Sequence, residues 1–352
     1  MSAAFKTKKM YFRSMKIANL NTAETLLATP KKIAIVPHRN PDGDALGSSL
    51  GLYHFLLKLG HDVQIIAPND FPDFLKWLPG SENIKNFEKD QANCKSILFK
   101  SDLVFALDFN ALHRTGEIMH SFLSQLKCSF MMIDHHQSPE NFAVFTYSDT
   151  EISSTCEMVF HFIDALEKES LINETIATCL YTGLVTDTGS FKFNRTTSTT
   201  HQVAASLIAK GIDNTKIHIQ LFDNQSYIRL QLLGKALSNM KIFPQFKAAY
   251  TSLSQEELDA HQYKKGDTEG FVNYGLSIEG VDFAVIFIEN KEEGIIKMSL
   301  RSHGDFDVNE IARKYFQGGG HVNAAGGKSN VSLSETTKYF ENLLPEICQH
   351  NI

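Results

Sequence analysis

Four short clusters of acids and histidines stand out in the first part of this chain. They are His38-Arg39-Asn40-Pro41-Asp42-Gly43-Asp44, Asp108, Asp134-His135-His136 and Thr186-Asp187-Thr188-Gly189. Taken singly, each has an ordinary explanation. Asp-Gly is common turn chemistry, and Asp108 alone reads as a turn residue or a cap. Asp187 reads as a loop residue after a helix, where an acid faces the negative end of the dipole. Taken together, Asp42, Asp44, Asp108 and Asp187 would repel one another and raise their own pKa values unless cations lay between them. Two divalent ions balance these four charges. Mixed carboxylate and imidazole ligation suits Mn²⁺, with Mg²⁺, Co²⁺ or Fe²⁺ as alternatives. A metal pair roughly 3.5–4 Å apart can bridge a hydroxide and stabilise both oxygens of an in-line displacement, so the chemistry expected is phosphoester hydrolysis.

A second centre lies far downstream. Gly318-Gly319-Gly320 can present successive backbone N–H groups as a nest for an anion. His321 and Arg301 would add charge-assisted bonds, Arg301 in bidentate fashion, and Ser302 a further donor. Arg114, six residues past Asp108, is a candidate phosphate contact. The bland alternatives are a flexible glycine loop and exposed arginines.

These residues need elements to position them. Lys32–Pro37, Val63–Ala67, Leu103–Leu107 and Phe130–Ile133 are apolar runs that read as buried strands. A helix through Leu46, Leu50, Tyr53, Leu56 and Leu57 follows the first, with Gly47 in its opening turn allowing close backbone approach. Helices are expected at Ser154–Glu167, opened by a Ser-x-x-Glu capping box, at Glu174–Val185 and at Thr199–Lys210. Strands mixed with helices in this way predict an α/β fold with a mainly parallel sheet covered on both faces. His38, Asp108 and Asp134 then fall at the carboxyl ends of strands, where such sheets bind ligands. A polar helical stretch, 213–231, reads as a linker. A smaller α+β domain follows over 232–347, with strands Phe246–Thr251, Val281–Ile288 and Ile295–Arg301, and helices Ser254–His261, Val308–Phe316 and Leu333–Leu344. The first domain is placed at 17–212, and residues 1–16 read as a frayed extension, with Met15 as good a start as Met1.

Composition narrows the class of function. The 352 residues are 43% hydrophobic and 21% charged, ordinary for a globular chain of two domains. No apolar stretch approaches the roughly 20 residues that span a bilayer. The N-terminus lacks the apolar core of a secretory signal. The five cysteines form no C-x-x-C pair, which points away from a disulfide framework or zinc ribbon and toward a reduced, cytoplasmic setting. A net charge of −6 without a long basic run argues against tracking long nucleic acid by its backbone. A short anionic substrate held by a few local cations fits better.

The clusters resemble motifs I to IV of the DHH phosphoesterases, named for the Asp-His-His that stands here as Asp134-His135-His136. The Gly-Gly-Gly-His of 318–321, followed by Ala324-Ala325-Gly326-Gly327, resembles the DHHA1 substrate domain. Length and layout resemble the nanoRNase and pAp-phosphatase subfamily, which degrades very short RNA and dephosphorylates 3′-phosphoadenosine 5′-phosphate. The resemblance implies that His38 and Asp42 hold one metal, Asp44 and His135 the other, and that Asp108 bridges them. Asp187 would complete the first site or touch both ions. His136 would act at the scissile phosphate, Asp134 would orient an imidazole, and a metal-bound hydroxide would attack phosphorus. It implies a short oligonucleotide or nucleotide bisphosphate as substrate, no long duplex, no membrane, and by base rate a homodimer. A cyclic di-AMP or pApA phosphodiesterase is the nearest alternative. A catalytically dead nucleotide sensor, a manganese pyrophosphatase and a long-strand exonuclease fit less well.

Overall fold

The computed structural model describes residues 17–264 and 266–349; the frayed extension expected at 1–16 lies outside them. The chain divides into two compact units between Asn224 and Gln225.

The first unit runs α1 (Leu20–Leu27), β1 (Lys32–Pro37), α2 (Gly43–Lys58), β2 (Asp62–Ala67), β3 (Lys85–Asn86), α3 (Gln91–Lys100), β4 (Leu103–Leu107), α4 (Glu117–Leu123), β5 (Ser129–Asp134), β6 (Phe145–Ser148), α5 (Thr155–Ala165), α6 (Glu174–Asp187), α7 (Ser198–Ile208) and α8 (Asn214–His218). Its sheet has the order β3-β2-β1-β4-β5-β6, and every pairing is parallel. Alternate residues of each strand face opposite cores. Ile33, Ile35, Phe105 and Met131 pack against α2, α5 and α6, whereas Ala34, Val36, Val104 and Met132 pack against α3 and α4. Burial on both faces explains why these strands are continuous apolar runs. Strand order reverses between β1 and β4, and a crevice opens at the carboxyl ends of strands at such a switch. His38 directly follows β1, and Asp108 directly follows β4.

The linker expected at 213–231 contains α8, a π-helical turn over Ile219–Asp223, and the start of the next helix. The second unit runs α9 (Tyr227–Ser238), β7 (Lys241–Phe243), β8 (Ala248–Leu253), α10 (Gln255–Ala260), α11 (Asn273–Leu276), β9 (Phe283–Asn290), β10 (Ile295–Ser302), α12 (Val308–Tyr315), β11 (Gly319–His321), β12 (Ala324–Ser329) and α13 (Leu333–Gln349). These strands form a mixed sheet of order β11-β12-β10-β9-β8-β7. β8 begins two residues later than the sequence reading because Pro244–Phe246 forms a 3₁₀ turn that ends at Lys247, φ 48°.

The capping box expected at Ser154 is only half formed. The Ser154 hydroxyl accepts from the Glu157 amide at 3.0 Å. The Glu157 carboxylate does not return to the cap. It accepts instead from Ser153 Oγ at 2.5 Å and from Thr200 Oγ1 at 2.9 Å, tying α5 to the first turn of α7.

Candidate metal centre

His38 sits at the switch point with its ring almost wholly buried. Nδ1 lies 2.9 Å from the Arg39 carbonyl oxygen. A carbonyl can only accept, so Nδ1 carries a proton and Nε2 is the atom left to face the site. That Nε2 faces Asp108 Oδ2 at 3.5 Å and Asp42 Oδ2 at 3.9 Å. A nitrogen facing two carboxylates must carry either a proton or a metal cation. Burial alone would lower the imidazole pKa, yet the hydrogen bond to Asp108 and the charges of Asp42 and Asp108 raise it to about 9.

His135 repeats the device. Its Nδ1 is 3.2 Å from the Ile152 carbonyl oxygen. Its Nε2 is 3.5 Å from Asp108 Oδ1, 3.5 Å from Asp187 Oδ2 and 4.0 Å from Asp44 Oδ2. Asp108 therefore offers one oxygen to each histidine. It does so from a left-handed backbone, φ 63°, at the end of β4, an uncommon conformation for a non-glycine residue that marks sites of function. Although burial would raise the Asp108 pKa, the His38 hydrogen bond and the charges of His136, His38 and His135 hold it well below the usual carboxylate range.

Two of the sets of donor atoms close enough to hold an ion are His38, Asp42 and Asp108, and Asp44, Asp108 and His135. Asp108 is common to both, as the resemblance implies. The Asp187 carboxylate stands against His135, on the side of the second set. Asp42 also caps α2, its Oδ1 accepting from the amides of Asp44 and Ala45 at 3.1 Å each. The donor set fits two divalent cations: imidazole nitrogens fixed in the ligating tautomer by carbonyls, and hard carboxylate oxygens in excess of nearby positive side chains.

One contributor escapes the sequence reading. The carboxylate of Asp44 is seated on the N-terminus of α5, accepting from the Thr155 amide at 2.6 Å and the Cys156 amide at 2.9 Å. The Thr155 hydroxyl donates to Asp108 Oδ1 at 2.9 Å. A helix N-terminus favours negative charge, and here it holds two of the clustered acids. Burial and the charges of Asp108 and Asp187 nonetheless push the Asp44 pKa well above the carboxylate range, with His135 opposing. The available signal was Ser154-Thr155 opening a helix, which reads as a cap and nothing more.

The remaining expected residues divide. Asp134, fully buried, accepts from His136 Nδ1 at 2.7 Å and from the His136 amide at 3.1 Å, and so orients that imidazole. Arg114 is near enough for its charge to lower the His38 pKa. In the second unit the glycine run is a strand rather than a nest: β11 pairs with β12, the Gly318 amide donates to the Ala312 carbonyl at 2.9 Å, and the Gly320 amide to Asn309 Oδ1 at 2.8 Å. Those donors are spent within the fold. Ser302 is likewise spent, its hydroxyl donating to the Phe306 carbonyl at 2.5 Å. Arg301 and His321 are brought together differently, because both register with Ala324 on β12 and so share one face of the sheet across a small residue.

Among the described residues no helix is long and apolar enough to cross a membrane. Residues 32–184 match the DHH family N-terminal domain, and residues 246–349 match the DHHA1 domain. The chain is 34% identical to the bifunctional oligoribonuclease and PAP phosphatase NrnA of Thermus thermophilus, covering 90% of this chain and 88% of that one. It is 27% identical to the cyclic-di-AMP phosphodiesterase PdeA of Listeria monocytogenes over 90% of this chain and 47% of that one. An exopolyphosphatase-related protein from Bacteroides fragilis superposes with a TM-score of 0.89 at 42% identity, covering 94% of this chain and 96% of the other. With its Asp-His-His at the end of β5 and its glycine-rich second unit, this chain belongs to the DHH family of DHH–DHHA1 proteins.

Proposed function

We propose that this chain is a metal-dependent phosphoesterase that hydrolyses short oligoribonucleotides and 3′-phosphoadenosine 5′-phosphate, with Mn²⁺ as its preferred ion. The observation that carries the reading is Asp108, whose two oxygens face His38 and His135, each histidine held by a carbonyl with Nε2 inward. The name and the extent of the Thermus thermophilus relative support the substrate class. His38, Asp42 and Asp108 would hold one ion, and Asp44, Asp108, His135 and Asp187 the other. Bound there, the ions supply Lewis acidity toward the phosphoryl oxygens and bring the pKa of water toward neutrality.

The chain's own residues do the rest. Asp134 fixes His136 through Nδ1, which leaves Nε2 as the atom that exchanges a proton at the scissile phosphate. Arg114 adds a positive charge beside His38 and grips a non-bridging phosphate oxygen. Arg301 and His321, flanking Ala324 on the second unit, bind a phosphate group. Ala324 keeps the surface between them low enough for that group to reach both.

A turnover panel with added Mn²⁺ tests the reading, comparing pAp, 5′-pApA, a long single-stranded RNA and cyclic di-AMP. Preference for pApA and pAp over long RNA is expected. Faster cleavage of cyclic di-AMP would move the protein to second-messenger turnover, the activity named for the Listeria relative. No cleavage of any of them by metal-loaded protein would overturn the proposal.

A further inference from the structure

Immediately beyond Asp187 the backbone takes a conformation that L-residues avoid. Gly189, Ser190 and Phe191 follow one another with φ of 56°, 61° and 67°. Three consecutive left-handed residues make a turn of the unfavoured hand, and such strain persists only where its surroundings enforce it. Thr188 enforces it here. This buried residue accepts from the Lys192 and Phe193 amides on its carbonyl, each at 3.0 Å, and from the Phe191 amide on its hydroxyl at 3.0 Å. Phe191 anchors the turn inward, stacked on His201 with ring centroids 5.2 Å apart and tilted against Tyr181 at 6.2 Å.

The consequence is the placement of Phe193. Its ring tip lies against Gly189, two residues past Asp187, so closely that a Cβ at 189 would sit 2.5 Å from Cζ. Yet Phe193 is 42% exposed. Lys192 Nζ stands over the ring, 5.7 Å from its centroid. Two residues further on, Arg195 Nη1 is shut away from solvent without a hydrogen-bond partner among the described residues. An unpaired buried guanidinium N–H is costly, and an oxygen of an anionic ligand would satisfy it. An exposed ring two residues from an arginine with an unsatisfied N–H is a combination that can grip a nucleotide: a base stacks on the ring and a phosphate meets the guanidinium.

We infer that the left-handed turn over Gly189–Phe191 is a nucleotide-gripping element beside the metal centre, with Phe193 stacking the base of the nucleotide being cleaved and Arg195 taking one of its phosphate or sugar oxygens. This inference rests on the phosphoesterase reading above. Phe193 selects for a base without taking part in the bond-breaking step.

The test compares full-length protein carrying Phe193→Ala, Phe193→Trp or Arg195→Ala with wild type. The substrates are pApA and an analogue whose 5′ nucleotide lacks its base. In Phe193→Ala the preference for pApA over the abasic analogue should fall on the order of tenfold, through KM rather than kcat. Phe193→Trp should restore it, and Arg195→Ala should raise KM for both substrates. An unchanged preference in Phe193→Ala would overturn the assignment, even if Arg195→Ala fails to fold. If wild type cleaves neither substrate, the phosphoesterase reading falls. Calorimetric titration with AMP then still decides: about tenfold weaker binding to Phe193→Ala upholds the gripping element, and equal binding overturns it.

Discussion

Thr155 and Asp108, 47 residues apart in sequence, are joined by a 2.9 Å hydrogen bond inside the first unit. The same threonine gives its amide to Asp44 at 2.6 Å. One residue at the start of α5 thus positions an acid from α2 and an acid from the end of β4, holding the Oδ2 of Asp44 and the Oδ1 of Asp108 that face His135 and leaving Asp108 Oδ2 to His38. Partners of this kind, one shell out from a metal, orient the ligands and tune their affinity. Thr155→Val should keep the fold, lose the hydroxyl donor and weaken Mn²⁺ binding roughly 10–100-fold, with Thr155→Ser close to wild type. Titration of metal-free protein with Mn²⁺, followed by electron paramagnetic resonance of the unbound ion, checks this.

The approach of α2 to α6 also bears on the site. Gly47 lies where a Cβ would stand 2.6 Å from the Cys179 carbonyl oxygen and 2.9 Å from Cys156 Sγ. The oxygen belongs to helical backbone and has little freedom to move away. Gly47→Ala should cost about 1–3 kcal/mol by overpacking, read as a lower Tm. Because the shift passes into α2, which carries Asp44, the same variant should also bind Mn²⁺ less tightly than Gly234→Ala, whose site meets nothing within 4 Å. Equal metal affinity in the two variants would show that the packing and the ligand are independent.

What the sequence made legible follows from how each feature is encoded. β1 and β4 are read to the residue because a parallel strand buried on both faces must be a continuous apolar run with sharp polar ends. β12, Ala324-Ala-Gly-Gly-Lys-Ser, has little intrinsic preference for a strand and forms through pairing with β10, so local pattern could not reveal it. On its other edge β12 pairs with the glycine run and makes it β11 in place of a nest. The ligand types His38, Asp42, Asp44, Asp108 and His135 were readable because clustered charge is expensive without a cation. The side on which Asp187 stands depends on the exit of α6, and Thr155 depends on a contact 111 residues distant from Asp44. Neither has a signature in local spacing.

Glu157 gives the fold a dependence on pH. Burial would raise its pKa, but His161, Ser153 and Thr200 all favour the ionised form and hold it below the ordinary glutamate value. A depressed carboxylate pKa adds stability that is fully present above the unfolded-state pKa and lost as pH falls through the folded value. Unfolding free energy, from urea titrations at a series of pH values, should therefore fall on acidification below about pH 4.5, the ordinary range of glutamate. Glu157→Gln should be less stable at neutral pH by about 1–3 kcal/mol, since Thr200 and Ser153 lose a charged acceptor. It should also show a shallower acid limb. An identical pH profile in the variant would remove Glu157 from this role.

Asp187 should show opposite signs with and without metal. In metal-free protein its charge is one of those that push the Asp44 pKa upward, so Asp187→Asn relieves repulsion and should raise stability. Mn²⁺ at a hundredfold excess over its dissociation constant should stabilise wild type by about 2.7 kcal/mol through linkage. Asp187→Asn loses a carboxylate facing His135 and should gain far less from the same metal. The stability order of the two proteins thus inverts on adding Mn²⁺ and returns on adding a chelator, which differential scanning fluorimetry records in a single plate. If Asp187→Asn were the less stable protein in both states, Asp187 would be a packing residue rather than a ligand.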